Sequence, residues 1–131
     1  MSAAGTRQRA ALRLDAGDAS VELEPATGGA IAGFTLGGAD VLRPTPPAVR
    51  VAGDVRGHAC YPLVPYSNRI AAARLRFAGN AHDLGRNFGD HPHSIHGVGW
   101  QRPWNVVAHD RASALIAFEH AATGEDRKSV V

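Results

Sequence analysis

The chain has 131 residues, enough for one modest domain and too few for two. Charged residues make up 20%, aromatic residues 6%, and the net charge is +2 with no block of like sign, which argues against a nucleic-acid-binding footprint. The 15 glycines and 8 prolines argue against long helices, and no apolar run reaches the ~18 residues of a transmembrane helix.

Met1 to Leu14 carries Arg7, Arg9 and Arg13 with no apolar stretch behind them, so it does not read as a secretory signal. Residues 1–10 are small and polar and are predicted to be disordered. Leu12 and Leu14, then Val21 and Leu23, alternate with polar or small residues, the period of a half-buried strand. Pro25 to Gly29 breaks the chain, Ala30 to Leu36 reads as a strand, and Gly37 to Asp40 reads as a tight turn into Val41 and Leu42.

Ala48 to Ile70 carries little regular signal, and Pro62 and Pro65 exclude a helix around them. The single cysteine, Cys60, cannot close an internal disulfide, so a reducing, cytoplasmic setting is the simplest reading. Arg74 to Ala78 alternates with Leu75 and Phe77 on one face, Gly79-Asn80 is a turn signal, and His82 to Leu84 is a returning strand. Residues 85–99 are rich in glycine and histidine and read as loop. Trp104 to Ala108 and Ala112 to His120 read as two strands around an Asp110-Arg111 turn. An all-β, antiparallel domain of about seven or eight short strands is expected.

The tail has a different character. Thirteen of the fourteen basic residues are arginine, and the one lysine, Lys128, lies in Asp126-Arg127-Lys128-Ser129-Val130-Val131. That stretch breaks the Ala-, Gly- and Arg-rich habit of the chain and reads as a translated sequencing adapter. The expected organisation is therefore a domain portion over 11–125 and a non-native tail over 126–131.

Two clusters could carry chemistry. In Asp90-His91-Pro92-His93-Ser94-Ile95-His96-Gly97-Val98-Gly99-Trp100, three imidazoles fall within six residues. On an extended strand His91 and His93 would share a face and His96 the opposite one. A metal reading therefore stays open, but no glutamate follows the His-x-His pair and no Cys-x-x-Cys exists, so no metal ligand is assigned. The other reading is acid–base chemistry or sugar recognition. Imidazole titrates near neutrality and both donates and accepts. Gly97 and Gly99 leave room beside His96, and Trp100 offers an apolar platform for the C–H face of a sugar. His58, His82, His109 and His120 are expected to satisfy carbonyls or cap turns.

The second cluster is Pro62-Leu63-Val64-Pro65-Tyr66-Ser67-Asn68-Arg69-Ile70. Asn68 and Arg69 set an amide beside a guanidinium, a donor and acceptor set suited to hydroxyls and a ring oxygen. A plainer role for Arg69 is to cover apolar surface or pair with a carboxylate.

Read together, these segments resemble the aldose 1-epimerase (galactose mutarotase) family. The resemblance rests on residues 62–70, then Phe77 with Gly79, then Asn87-Phe88, then His93-Ser-Ile-His-Gly-Val-Gly-Trp-Gln-Arg-Pro-Trp at 93–104. The Asn-Arg-Ile and His-Gly elements stand about 25 residues apart in the right order. The resemblance spans about residues 20–120 and implies a β-sandwich, here its N-terminal half, from a protein of roughly twice this length. It implies an isomerase that interconverts the α and β anomers of free hexoses without metal or organic cofactor. It also implies that Asn68 and Arg69 bind substrate, and that His96 is catalytic and lies against the sugar near its ring oxygen.

The family's second histidine, aspartate and base glutamate have no match here. After His96 the chain offers only His109, His120, Asp110, Asp126, Glu119 and Glu125, none in a context of that kind. The expectation is one wall of a sugar site with the base missing, and an inactive fragment of an active parent. A carbohydrate-binding module without chemistry and a His-dependent metalloprotein remain as alternatives. A hexose is the expected partner, with no nucleic acid and no membrane. The sugar preference and oligomeric state are not legible.

Overall fold

The computed structural model describes residues 10–121, so the expectations for residues 1–9 and for the 126–131 tail lie outside the described residues. The strands in chain order are β1 (Leu12–Ala16), β2 (Ala19–Glu24), β3 (Ala30–Leu36), β4 (Ala39–Leu42) and β5 (Arg69–Ile70). They continue as β6 (Arg74–Phe77), β7 (Asn80–Asp83), β8 (Ser94–Ile95), β9 (Asn105–His109) and β10 (Ala114–Ala117). The strand pairings are antiparallel and the fold is all-β, as the alternation and punctuation predict. The strands outnumber the expectation because β5 and β8 have two residues each, too few to show a period.

The described residues divide into two compact units, one formed by residues 10–62 with Gly99–Phe118, the other by Leu63–Val98 with residues 119–121. In the first unit β1 to β4 form a sheet in chain order. Gly37 (φ 57°) and Gly38 (φ 81°) form the β3–β4 turn, where two consecutive positive φ values favour glycine. Ala39 and Asp40, expected in that turn, are already paired with Leu36 and Thr35. Leu12 faces Leu23 and Leu14 faces Val21, so the alternating leucines of β1 meet the apolar face of β2.

The β2–β3 register slips between Glu22 and Leu23. Such a bulge re-aims the residues that follow. Leu23 and Glu24 are consecutive, yet both are buried. A buried carboxylate requires partners, and the segment after β4 supplies them. Arg50 Nε donates to Glu24 Oε1 at 2.6 Å and its Nη1 to Glu22 Oε2 at 2.6 Å. His58 Nε2 lies 2.7 Å from Glu24 Oε2, and its Nδ1 lies 3.0 Å from the Asp54 carbonyl oxygen. Burial lowers the Arg50 pKa, but the hydrogen bonds to Glu22 and Glu24 outweigh it and the net direction is upward. His58 thus has a structural place, as its sequence context suggests.

Arg50 belongs to α1 (Pro47–Ala52), a helix the sequence analysis does not anticipate. Proline at the first helical position pre-sets φ, and Gly53 (φ 64°) closes the helix in the left-handed region. A helix of six residues has no room for an amphipathic repeat, so the caps are its only signature. The core beside it is small: Ala30, Val55 and Trp100, with Tyr61 packed against them. Close approach makes Gly28 necessary, because a Cβ there would lie 2.5 Å from the Trp100 carbonyl oxygen and 2.9 Å from Val55 Cγ2. The β9–β10 hairpin turns through Asp110, whose carboxylate accepts from the N–H groups of Ala112 (2.9 Å) and Ser113 (2.8 Å).

In the second unit β6 and β7 form a hairpin with Phe77 opposite Asn80. The turn lies at Ala78-Gly79, one residue earlier than Gly79-Asn80. Leu75 is half-buried, but Phe77 on the same face is 68% exposed. β5 pairs with β8, and this short ladder positions both motifs. No helix among the described residues is long and apolar enough to cross a membrane.

Candidate functional site

In the second unit the ladder sets Arg69 opposite Ile95 and Ile70 opposite Ser94. Asn68 and His96 are therefore adjacent across the ladder's end, and the His96 N–H donates to the Asn68 carbonyl at 2.9 Å. Further bonds tie the same two segments. The Tyr66 hydroxyl is hydrogen-bonded to Ser94 Oγ. Val98 N–H donates to the Val64 carbonyl at 3.1 Å, and Val64 and Gly97 form a parallel bridge. Asn68, Arg69 and His96, which the sequence singles out from segments about 25 residues apart, are thus brought together.

Their backbone is unusual. Asn68 (φ 65°) and His96 (φ 58°) both occupy the left-handed region. The region is uncommon for any residue but glycine, although asparagine and histidine are among the side chains found there most often. Such a residue costs of order 1 kcal/mol or more and persists where its neighbours over-determine it. Gly97 (φ 65°) shows how tight the packing is: a Cβ there would lie 2.6 Å from Pro65 N and closer still to the Val64 oxygen and Pro65 Cδ. The glycine after His96 therefore lets the two segments touch, and the space that its missing Cβ leaves is filled by Val64 and Pro65.

Asn68 and Arg69 are exposed and His96 is half-buried. Arg69 Nη1 donates to Asn68 Oδ1 at 3.4 Å, a long bond that leaves the guanidinium fork available to a ligand. The patch combines planar donors, an amide and an imidazole. A hollow of about 380 Å³ lies in the first unit, with Arg56 and Arg102 at its lining, and none of the three residues lines it.

The other histidines of the cluster differ from expectation. Residues 91–93 are not strand, so His91 and His93 do not share a pleated face. Pro92 between them interrupts strand hydrogen bonding. His93 Nδ1 accepts from Ala72 N–H at 3.0 Å, and His91 Nδ1 accepts from His93 N–H at 3.3 Å. Their rings meet edge to face at 5.3 Å. Among the described residues no three side chains of His, Cys, Asp and Glu gather as a metal would require. Trp100 is not the expected platform. It is 6% exposed and belongs to the core of the first unit.

Sequence reasoning gave no role to Asn87, although it belongs to the resemblance. Its Nδ2 donates to the Ile95 carbonyl at 2.6 Å and to the Gly97 carbonyl at 3.1 Å. Its Oδ1 accepts from Ile95 N–H at 2.8 Å. An amide pairing with backbone on both sides of a residue leaves no periodic trace in sequence.

The family model for aldose 1-epimerase matches residues 11–127. The chain belongs to the aldose 1-epimerase family. The match extends further toward both ends than the motifs alone suggest. The uncharacterized protein YphB of Escherichia coli (strain K12) is 31% identical over 115 residues, covering 88% of this chain and 36% of YphB. The crystal structure of a candidate aldose 1-epimerase from Escherichia coli K12 superimposes with a TM-score of 0.78 at 29% identity, over 86% of this chain and 37% of that one. The Slr1438 protein of Synechocystis sp. PCC 6803 shares the fold, with a TM-score of 0.54 at 18% identity over 77% of this chain and 32% of that one. The chain thus spans about a third of the length of these relatives, less than the half that the motifs imply.

Proposed function

We propose that this chain forms one wall of a hexose site of the aldose 1-epimerase type, with Asn68 and Arg69 binding the sugar and His96 serving as the acid. The observation that carries this reading is the His96 N–H to Asn68 carbonyl bond at 2.9 Å, which joins the two motifs at one edge. Family membership supports the reaction class. In anomer exchange a base takes the proton of the anomeric hydroxyl, electrons form the aldehyde carbonyl, and the C1–ring oxygen bond breaks. An imidazolium gives its proton to the departing ring oxygen. Rotation about the C1–C2 bond followed by the reverse steps gives the other anomer. Each positioned acid or base contributes roughly 10²–10⁴-fold in rate. The chemistry needs no redox change, and the proposal includes no cofactor.

The base is not assigned to this chain. Glu22 and Glu24 are held by Arg50 and His58, and no residue is matched to the family's glutamate. The chain by itself is therefore proposed to bind hexose with little turnover, the 11–125 portion being one part of the catalytic sandwich of its parent.

The test is an NMR titration of the 131-residue chain with D-galactose. Signals of Asn68, Arg69 and His96 should shift together, and sorbitol, which lacks a ring oxygen, should shift them less. No response at these residues would overturn the reading. Polarimetry of α-D-glucose should show no acceleration by the chain; acceleration would mean that one of its own carboxylates is the base.

A further inference from the structure

We propose that Asn87 is the positioning residue for His96, holding the imidazole in the orientation that the sugar site requires. The inference rests on the reading of His96 given above and adds to it a residue that acts through the backbone.

His96 sits at φ 58°, a conformation that costs any residue with a Cβ and is uncommon outside glycine. Local sequence therefore does not hold it there, and outside contacts must. On one side, the Asn68 carbonyl takes the His96 N–H. The flanking peptides are gripped by Asn87, which bonds both polar groups of Ile95 and the carbonyl of Gly97. The peptide planes 94–95 and 95–96 ahead of His96 and the plane 97–98 beyond it are then held, which restricts the dihedrals of His96 and Gly97 together. The bonds of 2.8 and 3.1 Å lie in the normal range for N–H···O bonds, and the 2.6 Å bond to the Ile95 carbonyl is just shorter than it.

The chemistry of the clamp is specific to an amide. It must accept from one N–H and donate to two carbonyls, which asparagine alone among side chains of this length can do. Aspartate keeps the acceptor but turns a carboxylate oxygen toward the Ile95 and Gly97 carbonyls. Asn87 is half-buried, so water compensates only in part. His93 is anchored differently, through its ring nitrogen to Ala72 N–H. The clamp thus serves the His96 peptide rather than the whole histidine cluster.

The first experiment uses the unaltered 131-residue chain without sugar. Scalar couplings across hydrogen bonds should connect Asn87 Nδ2 with the carbonyl carbons of Ile95 and Gly97; their absence would overturn the proposal. The second compares Asn87→Asp with the unaltered chain. The backbone coupling that reports φ of His96, and the chemical shifts of its ring nitrogens, should change while the amide spectrum of the β1–β4 sheet is retained. D-galactose binding should weaken on the order of tenfold, the scale of one hydrogen bond to the sugar lost. An unchanged His96 ring spectrum and φ in Asn87→Asp would overturn the proposal whatever happens to affinity. If Asn87→Asp does not fold, Asn87→Ala removes the same bonds without placing a carboxylate against two carbonyls and decides by the same spectra. If the unaltered chain shows no response to D-galactose at His96, the functional reading fails, while the sugar-free spectra still decide whether Asn87 sets the histidine.

Discussion

Replacing Glu24 with alanine tests how the first unit is held together. Glu24 and His58 have side-chain exposures of 5% and 0%, whereas Arg50 is 32% exposed. The substitution removes the acceptor common to His58 Nε2 and Arg50 Nε. Arg50 keeps Glu22 and regains some water, so that arm is a minor loss. His58 keeps the Asp54 carbonyl at Nδ1 but has no partner at Nε2. Removing one member of a buried pair costs about 3–5 kcal/mol. With the partly exposed Arg50 arm discounted, a loss of about 3 kcal/mol is expected. Against a typical stability of roughly 5–15 kcal/mol this is a large fraction. With an m-value of about 1–3 kcal/mol/M, the urea midpoint should fall by roughly 1–3 M. Glu24→Gln is the control. Its carbonyl oxygen can still accept from Arg50, and its amide can donate to a neutral His58 Nε2, so its loss should be about 1 kcal/mol. Equilibrium urea unfolding followed by tryptophan fluorescence suits the assay, because Trp100 lies in the adjacent core. A Glu24→Ala unfolding free energy within about 0.5 kcal/mol of the parent, the range of ordinary surface changes, would refute the reasoning.

Gly97→Ala should destabilise the second unit by about 1–3 kcal/mol, since it adds a Cβ against Pro65 N at 2.6 Å in a left-handed backbone; unaltered hydrogen-exchange protection of the Val98 N–H would contradict this. Arg69→Ala should weaken D-galactose binding while changing stability by no more than about 0.5 kcal/mol, because its side chain is exposed; unfolding would instead assign Arg69 a structural role. The hydrogen bond from Ala112 N–H, then those from the Ser113 hydroxyl and N–H, hold the Asp110 carboxyl below its ordinary 3.8. A depressed folded-state value means that this contribution is full above 3.8 and fades as pH falls through the lower folded value. Hydrogen exchange at the Ala112 and Ser113 amides should lose protection in that acid range, and Asp110→Asn should flatten the dependence; equal protection across the range in the parent would contradict the assignment.

Most of the sheet was readable because its signals are local. Ala30–Leu36 agrees residue for residue with the strand that the pattern predicts, and the paired glycines mark the turn after it. The residues proposed for the sugar site were readable for another reason: Asn68, Arg69 and His96 lie in motifs whose order and spacing are distinctive. Legibility failed where a residue's place depends on a distant partner. Trp100 beside His96 looks like a sugar platform, yet packing places it in the core with Ala30 and Val55. Helix α1 and the two-residue strands β5 and β8 are too short for periodicity to register.

Alternation, turn glycines and motif spacing are written along the chain, and they suffice to specify the all-β class, the main hairpins and the family. Tertiary structure alone decided that Glu24, His58 and Arg50 share one buried network, that His96 is left-handed, and that Asn87 grips the peptides around it. The physical reason is that hydrogen-bond partners are chosen by distance in space. Glu24 and His58 are 34 residues apart in the chain and 2.7 Å apart in the fold.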